Sequence, residues 1–374
     1  MSLILKKGES DVNGMESAPG AVTSIGGKRC LYFAGTGYFG LHGHPEVIRA
    51  GVEAFQKYGT HSATSRTGFG NNPVLLEVEE RLTEFFGEAE AAYFGSGYLS
   101  SLVLAQGLAD QYDAIFVDEA AHFCIRDSAP SLGKPVFSFR HRDPEDLNKK
   151  LKAKLKLRQK PFLLTDGIFP TYGRIAPVPD YAAILEPYRG IIGLDDAHGV
   201  GVLGPNGRGT YEYFGMKSSR LHFAGTLSKA FGGHGGFVVG GKKLIGRIRK
   251  TVGAYIGSTP TPTPIAAATA KGIEILMHHP EMRERLCQNV ATVKAGMKKL
   301  GVETDETTVP IVAWSLKSAE KMKKVQQALL SRGIAIAYLR YIGAPPQGVL
   351  RVTIFSTHQA EHIRRLLEEL GKLL

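Results

Sequence analysis

The sequence predicts an α/β protein: a mostly parallel sheet covered by helices on both faces, then a smaller α+β domain. Three observations carry this reading. From about residue 45, short continuous apolar runs alternate with helical patterns, as expected of strands buried on both faces. In the C-terminal third, strand-like runs fall between longer amphipathic stretches. Between the two lies Gly257-Ser258-Thr259-Pro260-Thr261-Pro262-Thr263-Pro264. Its proline density forbids a helix or a central strand and makes a stiff connector. The expected division is an arm over 1–44 that joins the small domain, a large domain over 45–258 and a small domain over 259–374.

The elements follow in order. Pro45-Glu46-Val47 starts one helix, and Asn72-Pro73 starts another that ends near Gly87, with proline and glycine as start and stop signals. Ala91 to Phe94 reads as a strand, Gly97 to about Ala109 as a helix and Ala114 to Asp118 as a strand. Further strands are expected at Val136–Phe139, Phe162–Thr165, Ile191–Leu194, His222–Ala224 and Phe237–Val239. Asp143 caps a helix with Pro144 in its first position. Leu147, Leu151 and Leu155 then recur every four residues through a lysine-rich run, Asn148 to Lys160. That run reads as a surface helix with a solvated basic face. Pro280 opens a long helix with Leu286, Val290, Val293, Met297 and Leu300 on one face. Strands at Ile311–Leu316, Ile334–Leu339 and Val349–Phe355 alternate with two more helices.

Composition excludes several classes. With 374 residues, 43% hydrophobic and 22% charged, the chain is an ordinary globular mixture, so wholesale disorder is out. Its 45 glycines exceed the usual share and cluster without a collagen period, which suggests tight turns and close backbone approach to a ligand. Cys30, Cys124 and Cys287 are too few and too scattered for a disulfide framework or a zinc site, and they fit a reducing compartment. No apolar run is long enough to span a bilayer. Met1 to Lys7 lacks a signal pattern, so a cytoplasmic protein is expected. The net charge of +11 suits an anionic partner. No aromatic residues interleave with the basic run, so no nucleic acid partner is expected.

The chemistry-bearing residues sit at strand ends. Gly95-Ser96-Gly97 lies between a strand and a helix, where free N–H groups and the helix dipole favour a phosphate. This segment also resembles part of a dinucleotide fingerprint with Asp118 as its acidic partner, but Ser100 stands at the third glycine position. Gly193-Leu194-Asp195-Asp196-Ala197-His198-Gly199 and Thr226-Leu227-Ser228-Lys229 follow two later strands. Two carboxylates and a histidine at a strand end do not suit core packing. Lys229 is a candidate Schiff-base lysine, with Thr226 and Ser228 as phosphate-binding hydroxyls. Taken together, these residues favour a pyridoxal phosphate enzyme.

At these residues the chain resembles the α-oxoamine synthases, a family of fold-type-I pyridoxal phosphate transferases. The likeness runs from about Gly35 to the C-terminus. It rests on Tyr38-Phe39-Gly40-Leu41, His44-Pro45-Glu46-Val47, Phe94-Gly95-Ser96-Gly97-Tyr98, Asp118 with His122, the Asp195–Gly199 and Thr226–Lys229 runs, and Leu350-Arg351-Val352. The resemblance implies a mostly parallel seven-stranded central sheet and a homodimer with a shared site. It implies that Lys229 holds the cofactor, Asp195 faces the pyridine nitrogen, His122 stacks on the ring and His198 contacts the phenolic oxygen. It implies a phosphate site of Ser96, Gly97, Tyr98 and Thr226, completed across the dimer by Ser258 and Thr259. Arg351 and Arg66 are the substrate candidates. The implied reaction joins an acyl-CoA or other acyl thioester to a small amino acid with loss of carbon dioxide, and a basic entrance would attract the CoA phosphates.

Three departures bear on substrate. Gly37 stands where the family has asparagine. Leu75 stands where an ungapped alignment from Arg66 expects histidine. Asp166 lies in Thr165-Asp166-Gly167-Ile168-Phe169-Pro170-Thr171-Tyr172-Gly173, where the family carries a glutamate. Amino-group transfer on the same fold is the alternative that these motivate. A nicotinamide dehydrogenase is more remote, because it leaves Lys229 and His122 without work.

Overall fold

The structure, a computed structural model, describes residues 14–374; the reading of Met1 to Lys7 lies outside them. The chain enters through a hairpin of β1 (Val22–Ile25) and β2 (Lys28–Phe33), then α1 (Pro45–Tyr58) and α2 (Pro73–Phe86). Asn72 caps α2 by accepting from the Val74 N–H, and Gly87 ends it in a left-handed conformation, as its flanking residues predict. Next come β3 (Glu90–Phe94), α3 (Ser100–Gly107), β4 (Ala114–Asp118), α4 (Phe123–Ser131), β5 (Val136–Phe139), α5 (Pro144–Lys154) and β6 (Pro161–Asp166). A small ribbon, β7 (Ile168–Phe169) with β8 (Arg174–Ile175), precedes α6 (Val178–Leu185) and β9 (Ile191–Asp195). Then follow α7 (Thr210–Tyr213), β10 (Leu221–Thr226), β11 (Gly236–Gly240), α8 (Lys242–Thr251) and α9 (Gly253–Ile256).

The central sheet has seven strands in the order β3-β11-β10-β9-β6-β4-β5. Only β11 runs against the rest. Alternation along each strand explains why both faces are covered. Ile115, Val117, Phe162, Leu164 and Val238 join one core with Val103, Leu104, Ile125, Ile245 and Ile248. Phe116, Leu163, Leu194, Phe237 and Val239 join the other, with Phe85 and Phe86 of α2.

The C-terminal third adds α10 (Thr263–His278), α11 (Glu281–Lys299), β12 (Ile311–Trp314), α12 (Ala319–Ser331), β13 (Ile334–Leu339), β14 (Val349–Thr353) and α13 (Ala360–Gly371). A five-stranded sheet forms in the order β1-β2-β13-β14-β12. The strands β1 and β2 were not anticipated as strands, and β2 pairs in parallel with β13. Their pattern is short and mixed, and only distant partners decide it. After the proline-dense stretch, α10 packs on α1 and α2 before the chain reaches that sheet. Pro264 sits in the first turn of α10, a position that tolerates proline.

Two expectations need correction. The helix expected from Gly97 starts as a 3₁₀ turn over Gly97–Leu99 and ends at Gly107. The basic helix stops at Lys154 with Leu155 already extended. The residues after it form a loop in which Leu157 is 91% exposed. Leu147 and Leu151 bury against the core while Leu155 only adjoins it. Among the described residues no helix is long and apolar enough to cross a membrane.

Candidate active site

The carboxyl ends of β3, β6, β9 and β10 open onto one cavity of about 220 Å³, the end of such a sheet where ligands bind. Ser96, Gly97, Tyr98, His122, Asp195, His198, Thr226 and Lys229 all line it, joined by Cys124, Asp166, Ser228 and His234.

One end is built for an anion. The Ser96 hydroxyl caps the short turn by accepting from the Tyr98 N–H at 3.2 Å. The Thr226 and Ser228 hydroxyls stand 2.7 Å apart. A Cβ placed on Gly97 would meet Thr226 Oγ1 at 2.3 Å, so only glycine lets the turn approach the threonine this closely. The Tyr98 hydroxyl donates to Asp127, which pushes it up to about 12.

At the other end Lys229 Nζ lies 2.9 Å from His198 Nε2, and His198 Nδ1 lies 2.7 Å from the Tyr38 hydroxyl. Burial, reinforced by Lys229, holds His198 well below the usual histidine range. Burial also lowers the Lys229 amine, against the pull of Asp195 and Asp166. Asp195 Oδ2 accepts from Ser101 Oγ at 3.1 Å and Cys124 Sγ at 3.0 Å, and Oδ1 accepts from the Ala197 N–H at 3.2 Å. Its neighbour Asp196 turns away and accepts twice from Thr210, each at 2.6 Å. Burial still raises Asp196 to about 6.

His122 caps α4, its Nδ1 accepting the Cys124 N–H at 3.2 Å. Its own N–H donates to Asp166 Oδ2 at 2.8 Å. Asp118 is fully buried behind it. It accepts from Ala120 and Arg142 N–H groups and lies 2.9 Å from His141 Nδ1. It therefore shapes the turn that carries His122.

Four predicted residues do not line the cavity. Arg66 is buried in an ion pair with Glu79 at 2.6 Å, and it also donates to Asn71 Oδ1 and the Tyr93 carbonyl. Its donors are committed there, so we assign it no substrate contact. Arg351 is buried in β14 and donates to the Pro170 carbonyl at 3.0 Å. Ser258 bonds the Ala254 carbonyl at 2.6 Å, and Thr259 is exposed. Leu75 packs in the core and does not reach the cavity. The space beside Gly37 is filled by His42, whose Nδ1 would lie 2.9 Å from a Cβ there.

Cys124, Ser101 and Tyr38 as side-chain partners escaped the sequence reading. Nothing in their spacing marks them, because each arrives from a different element. Asp166 carried a signal: like Asp195 it ends an apolar strand, and the two face each other in the β6–β9 ladder.

The donor set fits pyridoxal 5'-phosphate: an amine, a carboxylate held by three donors, a ring-sized histidine and a cradle that a Cβ would fill. The aminotransferase class I and II family model matches residues 35–370, so the chain belongs to that family. An 8-amino-7-oxononanoate synthase of Thermosipho melanesiensis is 33% identical over 363 residues, 96% of this chain and 92% of the relative. A serine palmitoyltransferase from S. paucimobilis, solved with a pyridoxal phosphate–myriocin adduct, superposes with a TM-score of 0.88 at 30% identity, covering 94% of this chain and 89% of that one. An 8-amino-7-oxononanoate synthase from Francisella tularensis superposes with a TM-score of 0.77 at 25% identity, covering 92% and 97%. Within the family the chain is an α-oxoamine synthase of fold-type-I architecture, and its cofactor is pyridoxal 5'-phosphate.

Proposed function

We propose that the chain condenses an acyl thioester with a small amino acid, releasing the thiol and carbon dioxide and leaving an α-aminoketone. Relatives are named 8-amino-7-oxononanoate synthases, and by that resemblance a pimeloyl thioester with alanine is the default substrate pair. The observation that carries this reading is the Lys229–His198 contact inside a cavity that also holds Asp195 and an anion cradle.

Bound pyridoxal phosphate supplies an electron sink for a carbanion at the amino acid α-carbon. Lys229 anchors it and moves the α-proton. Burial brings the neutral, proton-accepting amine within reach at lower pH than for a free lysine. In that form the His198 Nε2–H donates to Nζ while Nδ1 accepts from Tyr38, whose hydroxyl burial keeps protonated. With the cofactor bound, Asp195 would face its pyridine nitrogen and favour the protonated ring, Ser96, Gly97, Tyr98 and Thr226 would hold its phosphate, and His122 would cover the ring. Arg351 grips the amino acid carboxylate with its planar fork. The chain acts as a homodimer in which Ser258 and Thr259 complete the partner's phosphate site. The domain boundary is taken at residue 258, with every residue lining the cavity on the cofactor-binding side of it.

Reconstituted protein is expected to show a visible absorbance band that borohydride abolishes, and Lys229→Ala is expected to lack it. A band retained in Lys229→Ala would sink the assignment. Thiol release from acyl-CoAs with glycine, alanine or serine then selects substrate; amino-group transfer without thiol release would favour the alternative. Activity per subunit should fall on dilution into the monomer range, and constant specific activity there would remove the shared site.

A further inference from the structure

The loop between β13 and β14 brings an unanticipated tyrosine against His122, which lines the cofactor cavity. Tyr341 lies two residues beyond the end of β13, and its hydroxyl stands 2.7 Å from His122 Nε2. Its ring packs edge-on against Phe123 with centroids 5.3 Å apart. The next carbonyl, of Ile342, accepts from Thr171 Oγ1 at 2.5 Å. A loop of the five-stranded sheet thereby reaches the histidine at the mouth of the other sheet.

The hydrogens at this contact can be placed. Burial favours neutral His122, which carries one ring hydrogen. Nδ1 accepts the Cys124 N–H and also lies 2.9 Å from Cys124 Sγ, whose own hydrogen goes to Asp195; with Nδ1 as acceptor, the ring hydrogen sits on Nε2 and is donated to the Tyr341 oxygen. The hydroxyl's own hydrogen then has no acceptor among the described residues. A second donor nearby shares this state. Arg351 uses Nη1 on Pro170, while its buried Nε has no partner. Arg351 pairs with Ala337 of β13, on the same hairpin as Tyr341, and its charge acts on the Tyr341 hydroxyl. A buried donor without an acceptor, such as Arg351 Nε, is costly, and a ligand carrying acceptors would serve both it and the half-buried Tyr341 hydroxyl.

We propose that Tyr341 donates its hydroxyl hydrogen to the carboxylate of the bound amino acid, beside Arg351, so that the residue fixing His122 also reads the substrate. The proposal rests on the condensing reading above. A carboxylate offers two oxygens, one for each of these two donors.

The test is a titration of the reconstituted enzyme, followed by the visible spectrum of its cofactor. Glycine, L-alanine and L-serine are compared with ethylamine and 2-aminoethanol, which lack the carboxylate. Tyr341→Phe keeps the ring against Phe123 and removes only the hydroxyl. It is expected to hold cofactor at wild-type stoichiometry and to bind the responding amino acid about tenfold more weakly, as for loss of one hydrogen bond to a charged group. It should bind the amines as the wild type does, and the KM for the acyl thioester should stay unchanged. Equal amino acid affinity in both proteins would overturn the proposal, as would an equal loss for the amines or a failure of Tyr341→Phe to take up cofactor. A wild type that holds cofactor yet responds to no small amino acid would instead bring down the condensing reading.

Discussion

Asp166 and Asp195 are neighbours across the β6–β9 ladder at the bottom of the cofactor cavity. Two like charges this close in a buried site do not both ionise. Burial, then the Asp195 charge, pushes Asp166 well above the usual carboxylate range, which favours its protonated form. Asp166→Asn, neutral and still able to accept the His122 N–H, should therefore bind cofactor within about threefold of wild type, judged against a pKa unit's tenfold scale. Asp195→Asn removes the charge beside the pyridine nitrogen and should cost at least about a hundredfold in turnover, the range of a lost proton-positioning group. Spectral titration with the cofactor and steady-state rates check both. A strong loss of cofactor in Asp166→Asn would show that its charge is needed. At this scale the sequence revealed the residue types and their order, but not that Asp195 turns inward while the adjacent Asp196 turns to Thr210.

Among the elements, close packing around the glycine-rich turns sets the shape of the cavity. The Gly97 turn meets β10 at Thr226, and a Cβ on Gly272 of α10 would come within 2.0 Å of the Phe231 carbonyl, just past Lys229. A Cβ on Gly233 would meet Thr269 of the same helix at 2.2 Å. So α10, which follows the proline-dense stretch, buttresses the segment that presents the lysine. Gly97→Ala should force Thr226 away and lower cofactor affinity at least about tenfold, the equivalent of the lower end of overpacking costs. The melting temperature of the cofactor-free protein should shift by no more than a few degrees on the same scale. Wild-type affinity in a cofactor titration would show that the turn yields freely. Helix ends were readable here because caps are local: Asn72, Asp143 and Gly87 act within one turn. The strands β1 and β2 were not, since their pairing with residues 334–336 is set three hundred residues away.

For the whole molecule, the positive charge has an unexpected address. Lys160 and Arg220 immediately precede β6 and β10 and Arg189 lies two residues before β9, and with Lys243 and Arg247 they line a groove of about 1070 Å³. The cofactor cavity opens at the other ends of these strands. Arg247 pairs with Asp110 and Arg220 with Glu186, while Lys160, Arg189 and Lys243 have no carboxylate partner among the described residues. This cluster therefore does not form the basic entrance expected for CoA. Reversing Lys160, Arg189 and Lys243 to glutamate should leave the KM for an acyl-CoA unchanged within about twofold at physiological salt, because screening removes the effect of exposed charges beyond a Debye length of ~8 Å. A several-fold rise in KM would place the CoA path on this face.

The sequence by itself determined the class of fold, the order of the strand-end residues and the cofactor they suit. Those features are local: apolar runs, caps, glycine turns and short motifs express their preference within a few residues. Only the tertiary structure decided which side chains support the cavity: Cys124 lines it, while Tyr38, Ser101 and Tyr341 come from separate segments and both sheets to contact His198, Asp195 and His122. It also decided which did not: Arg66 is held by Glu79, and the basic cluster around Lys160, Arg189 and Lys243 lies at the far end of the strands. The reason is physical. A charge or a hydroxyl carries no record in sequence of its partner, and burial, which turns proximity into a pKa shift or a fixed hydrogen bond, exists only once the chain has packed.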